Sequence, residues 1–218
     1  MPPEMNRNYD YKEFEDQRSI PANELKAIAS NFEADLLEIC QLAGKHGTKV
    51  LLAPTTTYGS WPPSYSVLSS KLTKSDADTW RRNYAKGLEL AEADPTAARE
   101  ALQAAAKIDP DVSVLNYQMA RIAQQQGDFD TAAESGTAAI DAEGHYFRCH
   151  SSLHASADQV AGQLDNARYL DLREANLIPL KNGIAEDELF TDICHPSFLG
   201  YTIIADRLAT EVAALAGW

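Results

Sequence analysis

The run Thr48-Lys-Val-Leu-Leu-Ala-Pro54 constrains the fold more than any other stretch of the chain. A short apolar segment bounded by glycine and proline fits a strand buried on both faces of a parallel sheet. Ahead of it, Pro21 opens a segment running to about Lys45. In it Leu25, Ile28, Phe32, Leu36, Ile39 and Ala43 recur at three- and four-residue steps, the period of an amphipathic helix. Gly44 and Gly47 bracket its end. Helix, glycine and buried strand make half of a βαβ unit, so the pattern predicts an α/β domain.

The C-terminal part repeats the scheme. A helix carrying Leu153, Ala157, Val160, Ala161 and Leu164 precedes Ala167-Arg-Tyr-Leu-Asp-Leu172, which reads as a second short strand. Glu174 to Asp187 is connector, and Phe198 to Ala216 forms a last helix with Leu199, Ile203, Leu208, Val212 and Leu215 on its apolar side. The expected architecture is a partial doubly wound, flavodoxin-like parallel sheet, open at one edge. An open apolar edge favours association, so the chain is expected either to form a homodimer or to be only marginally stable.

Between these parts, from about Ser75 to Ala142, the chain is alanine-rich and helical in pattern. Trp80, Tyr84, Leu88 and Ala91 form one stripe, and Ile108-Asp109 and Ile140-Asp141 close equivalent helices 32 residues apart. The period and the Tyr117, Ala120, Gly127, Phe129 and Ala132 spacing resemble a tetratricopeptide repeat. The first unit keeps Gly87, Ala98 and Pro110 without a clear turn. The expected division is an irregular arm over 1–20, an α/β domain over 21–74 and 144–218, and an all-helical insertion over 75–143. The insertion either shapes the cleft or offers a protein partner a groove.

The candidate chemistry lies in Glu188-Leu-Phe-Thr-Asp192-Ile-Cys-His195-Pro-Ser-Phe-Leu-Gly200-Tyr. An imidazole can act as general base near neutral pH, and a carboxylate can fix its tautomer and stabilise the imidazolium. The block His195-Pro-x-x-x-Gly200-Tyr, followed by Ile-Ile-Ala-Asp-Arg-Leu-Ala, resembles the closing block of the SGNH, or GDSL-type, ester hydrolases. The resemblance covers 21–73 and 144–218. It implies that Asp192 and His195 are the catalytic Asp–His pair and that the substrate is an acyl or carbohydrate ester. The loop after the first strand, Pro54 to Ser66, is hydroxyl-rich and aromatic. Its Trp61-Pro-Pro-Ser-Tyr-Ser66 segment and Arg148 also resemble a subgroup of that family, which makes Thr55, Tyr58, Trp61 and Arg148 candidate substrate-binding residues. The chain departs from the family elsewhere. It contains no Gly-Asp-Ser and no Gly-x-Asn-Asp, so the serine nucleophile and most oxyanion donors have no counterpart. The expectation is a C-terminal portion of a hydrolase, with a degenerate, non-catalytic interaction module as the alternative.

Other readings are weaker. A net charge of −13 disfavours nucleic acid as a partner. No apolar run reaches the roughly 20 residues of a membrane span, and the N-terminus shows no apolar signal core, so a cytoplasmic chain is expected. Cys40, Cys149 and Cys194 have no zinc spacing. Cys194, beside His195, is a third-choice nucleophile. His150 and His154, four apart, would share a helical face as metal-binding pairs do, but no third ligand is spaced to join them. No metal and no cofactor are expected.

Overall fold

The computed structural model describes residues 22–55, 61–63, 66–143, 148–174 and 186–216. It corrects the expected doubly wound sheet: the described residues are mostly helical, at 67% helix, and among them the sheet is a single parallel pair of strands. The helix–glycine–strand pattern recurs only twice, which suffices for one strand pair. The alanine-rich remainder favours helix, so no further strand widens the sheet among the described residues. The expected arm over 1–20 lies outside the described residues.

The chain divides into two compact units, one including residues 59–146 and the other residues 20–58 and 147–218. In the first, helices α2 (Lys74–Leu90), α3 (Pro95–Ala106), α4 (Ser113–Gln125) and α5 (Phe129–Asp141) follow one another as two packed hairpins. Local chemistry sets their ends. Thr73, Asp94 and Asp128 cap α2, α3 and α5 by accepting from the backbone N–H groups of Asp76, Ala97 and Thr131, and Pro95 occupies the first turn of α3. Gly127, at φ +73°, closes α4. Its N–H donates to Gln124 and that of Asp128 to Ala123, so orphan carbonyls are satisfied by a left-handed cap that favours glycine. The core joins Trp80, Tyr84, Ala98, Leu102, Ala105, Val112, Val114, Leu115 and Ile122. A Cβ on Gly87 would lie 2.5 Å from Leu102 Cδ2, so glycine here lets α2 and α3 approach closely.

In the second unit, helix α1 (Ala22–Lys45) packs on helix α6 (Ser151–Gln163). Strand β1 (Val50–Leu52) pairs in parallel with β2 (Ala167–Tyr169), in the register Val50–Ala167 and Leu52–Tyr169. Gly47, at φ +68°, ends α1 with the same capping bonds as Gly127, here from Gly47 to Gly44 and from Thr48 to Ala43. Cys40, Leu52, Ala157 and Val160 form the core. The stripe of α1 departs from the expected one in part: Leu25, Phe32, Leu36 and Ala43 are half-buried and Cys40 is fully buried, whereas Ile28 and Ile39 are 40% and 57% exposed. Asn166 ties strand to helix, its Nδ2 donating to the carbonyls of Cys40 (2.9 Å) and Thr48 (3.1 Å). Helix α7 (Glu186–Leu189) leads through a loop to α8 (Phe198–Ala216), which buries only Gly200 and leaves Phe198 90% exposed.

A polar network stands at the end of β2. Tyr169 Oη lies 3.1 Å from Nδ1 of buried His154. Arg173 donates to both oxygens of Asp171, the shorter contact being 2.6 Å. Burial and then the charge of Asp171 push the Tyr169 hydroxyl up to about 12. Burial would raise the Asp171 carboxyl, but hydrogen bonds from the Arg173 side chain and backbone, together with its charge, outweigh it and hold Asp171 below its ordinary range. A depressed native pKa stabilises the fold above the unfolded value, about 3.9, and that contribution is lost as pH falls through the native value. Urea midpoints of the parent should therefore exceed those of Asp171→Asn at pH 6, and the gap should close as pH falls below about 4. A gap that is constant with pH would remove Asp171 from this role.

Candidate catalytic site

The Asp192–His195 loop is closed at its base before any side-chain chemistry is considered. Phe190 and Pro196 form an antiparallel bridge. Thr191 N donates to His195 O at 2.8 Å, and Ser197 N donates to Leu189 O at 2.8 Å. Leu189 and Phe190, 1% and 4% exposed, anchor the loop. The last helix starts at Phe198, as expected, and Ser197 takes the capping position, its Oγ accepting from Gly200 N at 3.1 Å and donating to Glu188 O. A serine directly ahead of the first helical turn is the signal that identifies it.

Gly200 seals the arrangement. A Cβ there would sit 2.2 Å from Leu189 O and 3.0 Å from Pro196 Cβ. Backbone cannot yield as a flexible side chain does, so Gly200→Ala should push α8 off the loop base and cost about 1–3 kcal/mol. The check is the urea midpoint together with the amide chemical shifts of 189–197. An unchanged midpoint would show that the helix slides freely over Leu189.

Within this frame Asp192 Oδ1 accepts from Cys194 N at 3.0 Å and His195 N at 2.9 Å. The carboxylate also faces the imidazole, with Oδ2 2.7 Å and Oδ1 2.9 Å from His195 Nδ1. The Cys194 N–H, then the His195 N–H, then the His195 ring hold the Asp192 carboxyl down at about 2. It is therefore an anion across the working pH range, fixed by the backbone and aimed at one ring nitrogen. That arrangement places the neutral ring's proton on Nδ1 and leaves Nε2 as the base. The pair is open to water, with side chains 45% (Asp192) and 67% (His195) exposed.

Cys194 Sγ lies 3.6 Å from the same Nδ1. Burial, then the Asp192 charge, push its thiol up. A nucleophilic cysteine needs the opposite, a positive setting that favours thiolate. The neighbouring carboxylate works against that use.

Thr55 is exposed after β1, Trp61 is half-buried, and Arg148 is 2% exposed ahead of α6. Tyr58 lies outside the described residues. The hydrogen bonds of Asp192 and His195 join neither Thr55 nor Arg148. His150 stands at the N-cap of α6, and His154 places its Nδ1 3.1 Å from Tyr169 Oη. No helix among the described residues is long and apolar enough to cross a membrane. Comparison with family models, with curated proteins and with solved structures gives no match.

Proposed function

We propose that the chain hydrolyses an acyl or carbohydrate ester by general-base chemistry at Asp192 and His195. The observation that carries this reading is the 2.7 Å contact between Asp192 Oδ2 and His195 Nδ1, in a loop whose backbone bonds hold the carboxylate in place. The resemblance of the closing block to SGNH-type hydrolases supplies the substrate class. In this proposal water is the nucleophile. His195 Nε2 takes a proton from water as its oxygen adds to the ester carbonyl, Asp192 stabilises the imidazolium, and the same proton passes to the departing alkoxide. Thr55 and Arg148 remain candidates for contacts to the ester, and Trp61 and Tyr58 belong to the same proposal. The test is turnover of an activated acyl ester by the reduced chain in the presence of a chelator. Turnover lost in His195→Ala, with far-ultraviolet dichroism unchanged, supports the reading; turnover that survives the substitution overturns it.

A second reading has its own observation. A cleft of about 290 Å³ opens beside α2 and α4, lined by Leu88, Glu89, Glu92, Gln118, Arg121 and Gln125. The lining is mainly polar and sets Glu89 and Glu92 beside Arg121, which suits a polar peptide, and the tetratricopeptide-like spacing agrees with an interaction module. An inert parent chain in the ester assay would move this reading to first place.

A further inference from the structure

We propose that Asp192, Cys194 and His195 form a binding site for a thiophilic divalent cation of the zinc class. Among the described residues these three offer donor atoms, a carboxylate oxygen, Sγ and a ring nitrogen, that all lie within 4.8 Å of one another. Cysteine spacing alone gives no hint of it, because the third ligand is an aspartate and the other two are adjacent in sequence.

The geometry suits a small tetrahedral ion. Zinc binds thiolate at about 2.3 Å and imidazole at about 2.0–2.1 Å, so the two donors stand about 3.5 Å apart at a tetrahedral angle. Cys194 Sγ and His195 Nδ1 are 3.6 Å apart. The 2.7 Å between Asp192 Oδ2 and Nδ1 is a hydrogen-bond length. The same pair needs about 3.3 Å around an ion, an opening that an exposed histidine on a loop can supply. Asp192 Oδ1 is already held by the N–H groups of Cys194 and His195, which orient the ligand from behind as outer partners do in built sites. Exposure leaves the fourth position to water.

The donor set selects the metal class. Thiolate and imidazole with one carboxylate suit zinc or cobalt, whereas magnesium and calcium require oxygen shells. On coordination the Cys194 thiol gives its proton to solvent and the ring proton moves from Nδ1 to Nε2, so the imidazole stays neutral and the two anionic ligands, thiolate and carboxylate, balance the dication. One consequence rests on the ester-hydrolase reading: the ion takes the nitrogen that Asp192 otherwise orients. Metal occupancy and base function then exclude each other, and zinc acts as a reversible inhibitor.

The test uses the full reduced chain and Co²⁺ as the probe. One equivalent should give a thiolate-to-cobalt charge-transfer absorption that Zn²⁺ displaces and Mg²⁺ does not. Cys194→Ser should abolish the absorption, Asp192→Asn and His195→Ala should weaken binding at least about 10-fold, and Cys149→Ser should leave it intact. No charge-transfer band, or one that persists in Cys194→Ser, overturns the site. Ester turnover is read separately. Turnover in chelator that Zn²⁺ abolishes supports the exclusion, and turnover that persists with zinc bound overturns it. A cobalt band in a chain without turnover supports the metal site while sinking the hydrolase.

Discussion

Replacing Trp80 by alanine should cost the four-helix unit about 3–5 kcal/mol, the usual range for emptying a large aromatic from a packed core. Trp80 is fully buried and stacks on Tyr84 with ring centroids 4.9 Å apart and planes 18° from parallel. Its Nε1 donates to Asp109 O at 3.2 Å, which ties α2 to the turn that follows α3. The same turn is fixed by Asp109 Oδ2, which accepts from Ser69 N at 2.8 Å. Alanine would therefore open a cavity and leave a carbonyl without its indole donor. A domain of this size holds about 5–15 kcal/mol in total, so the loss takes a large share of it. Trp80→Phe separates the two effects. It keeps the ring contact and gives up the hydrogen bond, so it should cost nearer 1 kcal/mol plus any cavity left by the smaller ring. Denaturant unfolding followed by far-ultraviolet dichroism reads both. A Trp80→Ala cost below about 1 kcal/mol would mean that α2 and α3 collapse onto the vacated space.

Trp80 and Tyr84 are legible in the sequence because three- and four-residue apolar spacing is a local signal that burial then obeys. The turn of the first hairpin is not. Gly87 has the composition of a turn residue, yet it serves close packing against Leu102, while the break comes at Asp94-Pro95, where a cap and a first-turn proline stand together. The α1 stripe shifts because Cys40 is not neutral; a free thiol behaves as a small apolar group and takes the central position. The sheet is the least legible part. Both strand segments stand out locally, and Leu170 N extends their pairing to Leu52 O at 2.9 Å. The number of strands, however, depends on long-range pairing that no local pattern contains. The Asp192–His195 spacing points to two groups on one loop, and the structure brings them together. What spacing cannot convey is that two backbone amides hold the carboxylate, or that burial, together with the same carboxylate, pushes the Cys194 thiol up.

Those two amides give the proposed chemistry its most discriminating test. Asp192→Asn should lower ester turnover by about 10²–10⁴-fold, as much as His195→Ala, while leaving the loop in place. The amide oxygen of asparagine can still accept from Cys194 N and His195 N, the contacts made by Oδ1. Its amide nitrogen, however, donates where Oδ2 accepts, toward His195 Nδ1. The ring must then carry its proton on Nε2, and the atom that should take a proton from water no longer can. A purely structural role for Asp192 makes the opposite forecast: the loop bonds survive, so turnover should stay near that of the parent. Two-bond ¹H–¹⁵N correlation spectra in the presence of chelator report the tautomer directly. The parent should show the proton on Nδ1 and the asparagine variant should show it on Nε2. A switched tautomer with unchanged turnover would exclude His195 as the base. An unswitched tautomer would mean that the exposed ring turns away from residue 192 in solution, and with it would go the contact on which the catalytic reading stands.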